Sequence, residues 1–270
     1  MVVHLVDGTY ELFRHFYGLR RFTKTDRPLG AVAGVLHTVL QLIEKGATHV
    51  GVATDHVIES FRNRLWPGYK TGAGLEPALL AQFHPLERAL ADMGVVVWPM
   101  VELEADDALA SAARIAEADE RVEKICIWTP DKDLAQCVRG DRVVQMHRKA
   151  QKILDAAAVR EKFGVDPARI PDYLALVGDV ADGYPGIEGY GPVTAARAVN
   201  QYGALEDWPP ALLGERRPDA LLFKAIATLR TDAPLFADVE ALRWQGPTAR
   251  FADTAREIDD ARLAPRASRL

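Results

Sequence analysis

Residues 95–138 read VVVWPMVELEADDALASAARIAEADERVEKICIWTPDKDLAQCV. VVVWP and KICIWT are short apolar runs rich in β-branched and aromatic residues, the mark of buried strands. Each runs out into carboxylates: Glu104, Asp106 and Asp107 after the first, Asp131 and Asp133 after the second. Between them ADDALASAARIAEA spaces its apolar residues for a helix, and KDLAQCV opens another. Two earlier segments have the same form. VVHLV ends at Asp7 and leads into a helix from Glu11 to Leu19, and HVGVAT ends at Asp55. GAVAGVLHTVLQLIEKG has helical spacing and stops on Gly46. The Pro- and Gly-broken stretch RLWPGYKTGAGLEP precedes a helix over ALLAQFHPLERALADMG, and DRVVQMH and QKILD add two strands. Strands alternating with helices predict an α/β fold with a mostly parallel sheet covered by helices on both faces. From about Pro167 the pattern turns helical. No repeat or low-complexity linker interrupts it, and the closing APRASRL is expected to fray.

Carboxylates that follow parallel strands converge, because ligand sites in open α/β sheets lie beyond the carboxyl ends of the strands. Nine acids qualify: Asp7, Asp55, Glu104, Asp106, Asp107, Asp131, Asp133, and Asp179 with Asp182 in VGDVADGYPG. So many like charges cannot share a cleft without cations, since each would raise its neighbours' pKa. Oxygen ligands without His or Cys select hard ions such as Mg²⁺ or Mn²⁺. A plainer account is that the acids cap helices: Asp106 and Asp107 in a first turn, Asp131 as an N-cap. That account serves any one of them better than it serves all nine. Together they read as a two-metal enzyme acting on phosphate esters.

Composition is compatible. Apolar residues at 49% can fill a core and charged residues at 26% are ordinary for a soluble chain. MVVHLVDG reads as a buried strand and not a signal sequence, and no run approaches the roughly 18 apolar residues of a membrane span. Cys126 and Cys137 cannot build a disulfide framework, so a reducing cytoplasm is the expected location. The net charge of −5 first argues against nucleic acid. Without the nine clustered acids the remainder turns positive, so distribution decides more than the total.

VDG, EADD, DKD and GDVADGYPGIEGYGPVTA, in this order, resemble the 5′ nuclease family: the 5′→3′ exonuclease domain of bacterial DNA polymerase I, phage 5′ nucleases and flap endonucleases. The likeness runs from about Val2 to about Ala204. No polymerase domain follows, so a free-standing relative, acting in DNA replication or repair, is expected. The resemblance implies a PIN-like α/β core over residues 1–165 with an arch near 66–85. It implies a helical helix-two turns-helix (H3TH) region with C-terminal helices over 166–270, and Mg²⁺- or Mn²⁺-dependent phosphodiester hydrolysis with two ions or more. DNA with 5′ ends, flaps or nicks is the implied partner, bound by a monomer.

Carried over by position, Asp7, Asp55, Glu104 and Asp106 match acids around one metal. Asp131, Asp133 and Asp182 match those around a second, with Asp107 and Asp179 bridging or acting through water. Asp7, Asp106 and Asp131 with Lys70, which matches a lysine near the scissile phosphate, form the catalytic set. Phe13 and Tyr69 offer faces for terminal bases, and Arg14 and Arg62 match phosphate contacts. The alternatives are a core Phe13 and solvated arginines. Gly186, Ile187, Gly189, Gly191 and Thr194 fall in the glycine-rich turn, where open amides can meet duplex phosphates and carbonyls can hold K⁺. A single such string is by default a plain turn.

Departures are visible. Ala73 stands where the family has an arginine, Val193 where it has a lysine, and Gly183 where it has an asparagine. Residues 71–86 hold no Lys or Arg. The best remaining basic run is His147, Arg148, Lys149 and Lys152. A junction-binding protein with weak catalysis and a PIN-type ribonuclease are the competing readings.

Overall fold

The strands are β1 (Val2–Asp7), β2 (His49–Asp55), β3 (Val96–Met100), β4 (Lys124–Trp128), β5 (Val143–His147) and β6 (Lys152–Leu154). A computed structural model describes residues 1–20, 27–147 and 152–270. One six-stranded sheet runs β3-β2-β1-β4-β5-β6, parallel throughout except for the final β5–β6 pair. The chain first builds outward from β1 to β3, then returns to β4 on the opposite side of β1. That places the switch in strand order between β1 and β4, where such sheets open a crevice.

The helices of the first half are α1 (Gly8–Arg20), α2 (Gly30–Glu44), α3 (Phe61–Leu65), α4 (Pro77–Leu80), α5 (Phe83–Asp92) and α6 (Ala105–Glu117). α2 and α5 bury Val32, Leu36, Leu40, Leu86 and Leu90 against one face of the sheet. α6 buries Ala108, Leu109 and Ala112 with Val3, Leu5 and Ile127 on the other. The alanine-rich sequence of α6 lets it lie close to the strands.

Two segments depart from their expected form. The helix expected over 78–94 is broken ahead of Pro85, which has no amide for the Ala81 carbonyl, and the break lets Gln82 turn inward. Its Oε1 accepts from the amides of Ala31 and Val32 at 3.1 and 3.3 Å, closing the N-terminus of α2. The helix expected at KDLAQCV is a short 3₁₀ turn, Asp133–Cys137. Residues 148–151 of the basic run lie outside the described residues.

The helical half comprises α7 (Ala156–Phe163), α8 (Ile170–Val177), α9 (Pro192–Tyr202), α10 (Pro210–Leu213) and α11 (Arg217–Ala227). They share a second core containing Leu174, Val199, Trp208 and Phe223, which also takes in Tyr69. The chain then returns. α12 (Phe251–Glu257) and α13 (Leu263–Ala267) pack Phe251, Leu263 and Ala267 into the first core, beside α2 and α5. The frayed tail expected at APRASRL is therefore corrected: Leu263 and Ala267, one helical turn apart, are both buried.

Candidate metal centre

Four of the acids, Asp7, Asp55, Asp131 and Asp179, are held at the crevice by backbone amides. Asp7, at the end of β1, accepts from the Tyr10 amide at 2.8 Å and from the Thr129 hydroxyl at 2.9 Å. Asp55, at the end of β2, accepts from the Ala105 amide at 2.8 Å and so caps α6. Asp131 accepts from the Asp133 amide at 2.9 Å, and Asp179 from the Ala181 amide at 2.9 Å. The positive end of α6 points the first-turn Asp106 at the same place. Capping and convergence are thus one arrangement.

Asp7, Asp55, Glu104, Asp106, Asp131 and Asp182 line a cleft of about 400 Å³, with Lys70, Tyr10 and Phe13 on its walls. Asp133, Asp179 and Asp182 bring one oxygen each within 4.8 Å of one another. Asp133 Oδ1 is buried with no hydrogen-bond partner. Charge crowding is evident in the proton affinities. Burial, with repulsion from Asp55, raises Asp7 to about 7. Burial raises Asp55 to about 6 against the pull of Lys70. Burial and then the neighbouring carboxylates push Asp106 and Asp133 well above the usual range, and burial raises Asp182.

Two lysines partly answer this charge. Lys70 Nζ lies 2.8 Å from Glu104 Oε2 and 3.0 Å from Asp182 Oδ1. Despite burial, these acids hold its pKa well above the ordinary value. Lys132 Nζ lies 2.8 Å from Asp179 Oδ2.

A family model described as 5'-3' exonuclease, N-terminal resolvase-like domain, matches residues 2–164. A second, 5'-3' exonuclease, C-terminal SAM fold, matches residues 165–250. The chain belongs to the 5'-3' exonuclease family. A 5'-3' exonuclease of Aquifex aeolicus is 33% identical over 76% of this chain and 71% of its own length. DNA polymerase I of Pseudomonas aeruginosa is 34% identical over 88% of this chain, which spans 28% of that polymerase. The bacteriophage T5 flap endonuclease, in a pseudo-enzyme–product complex with DNA and metal ions, superposes with a TM-score of 0.68. At 18% identity, over 98% of this chain and 100% of that one, the likeness is one of fold.

Several residues expected at this 5'-3' exonuclease surface sit elsewhere. Asp107 is fully buried and its carboxylate is saturated. It accepts from Arg62 Nη1 and Nη2 at 2.7 and 2.8 Å and from the Glu104 and Arg230 amides at 2.9 Å. A carboxylate has about four acceptor positions, so none is left for a metal. Arg62 is only 2% exposed and cannot meet a phosphate. Tyr69 is buried too, donating its hydroxyl to Glu104 at 3.2 Å, so its ring is not a stacking platform. Glu104 reaches the cleft but already accepts from Ser60, Arg62, Tyr69 and Lys70, and against burial Lys70, then Arg62 and Ser60, hold its pKa down. Arg14 is bound to Glu11 and Thr38. Phe13 lines the cleft yet packs edge-on to Phe83, 6.1 Å between centroids, so both of its expected readings describe part of it.

In the glycine turn, the Ile187 amide donates to Leu176 O at 2.8 Å and the Gly191 amide to Thr194 Oγ1 at 2.9 Å. Ile187 is buried, and Gly186 lies against the backbone of Gly178. Neither the Ile187 nor the Gly191 amide is open to a phosphate, while Gly189 and Thr194 are exposed. Gly183 has φ +81, and a Cβ there would stand 2.1 Å from Gly68 O, which excludes the asparagine of the family pattern. The Lys70 amide donates to Asp182 O at 2.9 Å beside it, tying the two loops. Lys132, Thr9 and Thr129 were not singled out from sequence. The one available signal was a cation set between two acids in TPDKD.

Proposed function

We propose that this chain is a divalent-metal-dependent 5′→3′ exonuclease and flap endonuclease that hydrolyses DNA phosphodiester bonds in replication or repair. The observation that carries the proposal is the convergence of buried, mutually repelling carboxylates around the unpartnered Asp133 Oδ1 at the sheet's switch point. This donor set fits hard divalent ions, Mg²⁺ or Mn²⁺. Asp7, Asp55, Asp106 and Asp131 would hold one ion, and Asp133, Asp179 and Asp182 another. Bound there, such ions would lower the pKa of a water and stabilise the attacking and leaving oxygens of the phosphodiester.

The chain's own groups do the rest. Thr129 and Tyr10 orient Asp7, and Thr9 Oγ1 accepts from the Asp55 amide at 2.8 Å, fixing the end of β2 at the cleft. Glu104 and Asp182 hold the Lys70 ammonium at the cleft wall, where it can pair with a phosphate whose charge grows in the transition state. Phe13, pinned by Phe83, forms an apolar wall beside the acids, suited to a terminal base. The exposed Gly189–Thr194 segment is assigned to the backbone of a duplex 5′ end, flap or nick, with K⁺ on its carbonyls.

The decisive experiment is cleavage of labelled flapped, nicked and single-stranded DNA with and without Mg²⁺, by the parent and by Asp131→Ala and Asp106→Ala. Both variants are expected to lose cleavage while retaining DNA binding. Near-parental cleavage by either one, with metal present, would remove the two-metal assignment.

A further inference from the structure

Lys132 is a cation without a task in the scheme above. It sits between Asp131 and Asp133, just before the 3₁₀ turn Asp133–Cys137, and is 35% exposed at the side chain. Its Nζ contacts Asp179 Oδ2 at 2.8 Å, while Asp179 Oδ1 accepts the Ala181 amide. Asp179 belongs to the trio whose oxygens lie within 4.8 Å, alongside the unpartnered Asp133 Oδ1. A divalent ion entering that trio meets an ammonium already seated on one of its oxygens. Two cations repel at that distance, and the lysine is the movable one, a point charge on a flexible four-carbon stem. Asp131 and Asp133 also attract it, Lys162 repels it, and its side chain is already partly open to solvent, so it has room to leave Asp179.

Resting on the proposed function, we propose that Lys132 is a displaceable internal counter-ion that an incoming divalent ion drives from Asp179 onto a phosphate of the DNA. Before the ion binds, it neutralises Asp179 and opposes entry. Afterwards it adds one phosphate contact. Ion loading and DNA grip are thereby coupled through a single side chain.

The test uses the full chain and two readouts other than activity. Mn²⁺ binding, followed by electron paramagnetic resonance, is compared in the parent, Lys132→Met and Lys132→Arg. The relevant sites are the class that Asp179→Asn removes. Lys132→Met should bind Mn²⁺ there at least about threefold more tightly, since the competing charge is gone. Lys132→Arg, which can grip the carboxylate with two donors, should bind it more weakly. This second variant keeps the test decisive should the first fold poorly.

Binding to a nicked duplex is then measured against salt, in EDTA and in Ca²⁺, with cleavage checked on a denaturing gel. In EDTA the parent and Lys132→Met should share one salt slope, because Lys132 is held by Asp179. In Ca²⁺ the parent's slope should be steeper by about one, the signature of one added phosphate contact. Unchanged Mn²⁺ affinity in both variants, or a slope difference already present in EDTA, overturns the proposal. If the parent itself binds neither Mn²⁺ nor DNA, the proposed function falls instead, and the two failures are thus distinct.

Discussion

Arg62 and Lys70 lie eight positions apart, and each meets Glu104, but from opposite sides. Arg62 spends its guanidinium on Asp107 and Glu104 and on the carbonyls of Ile226 and Thr228, in a shell closed to water. Removing one member of such a buried pair leaves the other charge uncompensated. Arg62→Met should therefore lower stability by about 3–5 kcal/mol in urea unfolding. A loss of DNA affinity at unchanged stability would restore Arg62 to the surface role its sequence position suggests. Lys70, at the cleft wall, should behave in the opposite manner. Lys70→Ala should cut kcat by on the order of 10²-fold with a smaller change in KM, as for loss of a charged donor acting in the transition state. A change in KM alone would make it an ordinary phosphate anchor. The strand-end acids were legible because each follows an apolar run. The burial of Arg62 was not, because its carbonyl partners lie more than 160 residues away along the chain.

At the scale of elements, the strands and the long helices follow from periodicity, since apolar spacing of two or of three to four positions has few other causes. Interruptions are harder to foresee. The break ahead of Phe83 has a local sign in Pro85, but the use made of Gln82 there, closing the N-terminus of another helix, has none. α13 is only five residues long with Pro265 inside it, too short for its buried pair, Leu263 and Ala267, to show a period. The Gly186–Thr194 turn shows both limits. Its glycines mark a turn, but which amides stay open depends on Leu176 and Thr194. Gly189 has φ +87 with open space around it, so Gly189→Val meets backbone strain and no clash. Strain of about 1–2 kcal/mol in that conformation should distort the turn without touching a carboxylate. Affinity for nicked duplex is expected to drop while slow cleavage of short single strands persists. Undiminished duplex binding would leave the segment a plain turn and favour the ribonuclease reading.

For the whole molecule, the acid centre is a source of instability that a bound cation should relieve. Asp7 and Asp55 have folded pKa values of about 7 and about 6, both above the ordinary carboxyl value because of burial. A group with a raised folded pKa binds its proton better in the folded state. Its stabilising contribution is complete below about pH 4 and is lost as pH rises through 6 and 7. His4 acts in the other direction: burial lowers it to about 4, so it costs stability as pH falls below about 6.5. Above that point the carboxyls act alone. In EDTA, Tm should therefore fall as pH is raised from 6.5 to 8, and Asp7→Asn should flatten the fall. Mg²⁺ or Mn²⁺ replaces the lost protons as counter-charge, so the rise in Tm on adding either should be larger at pH 8 than at pH 6.5. Calorimetric scans at the two pH values, with and without the ion, measure all four corners of this cycle. A Tm independent of pH in EDTA, or an ion effect equal at both pH values, would mean that the carboxylates are not competing for one cation-deficient cleft.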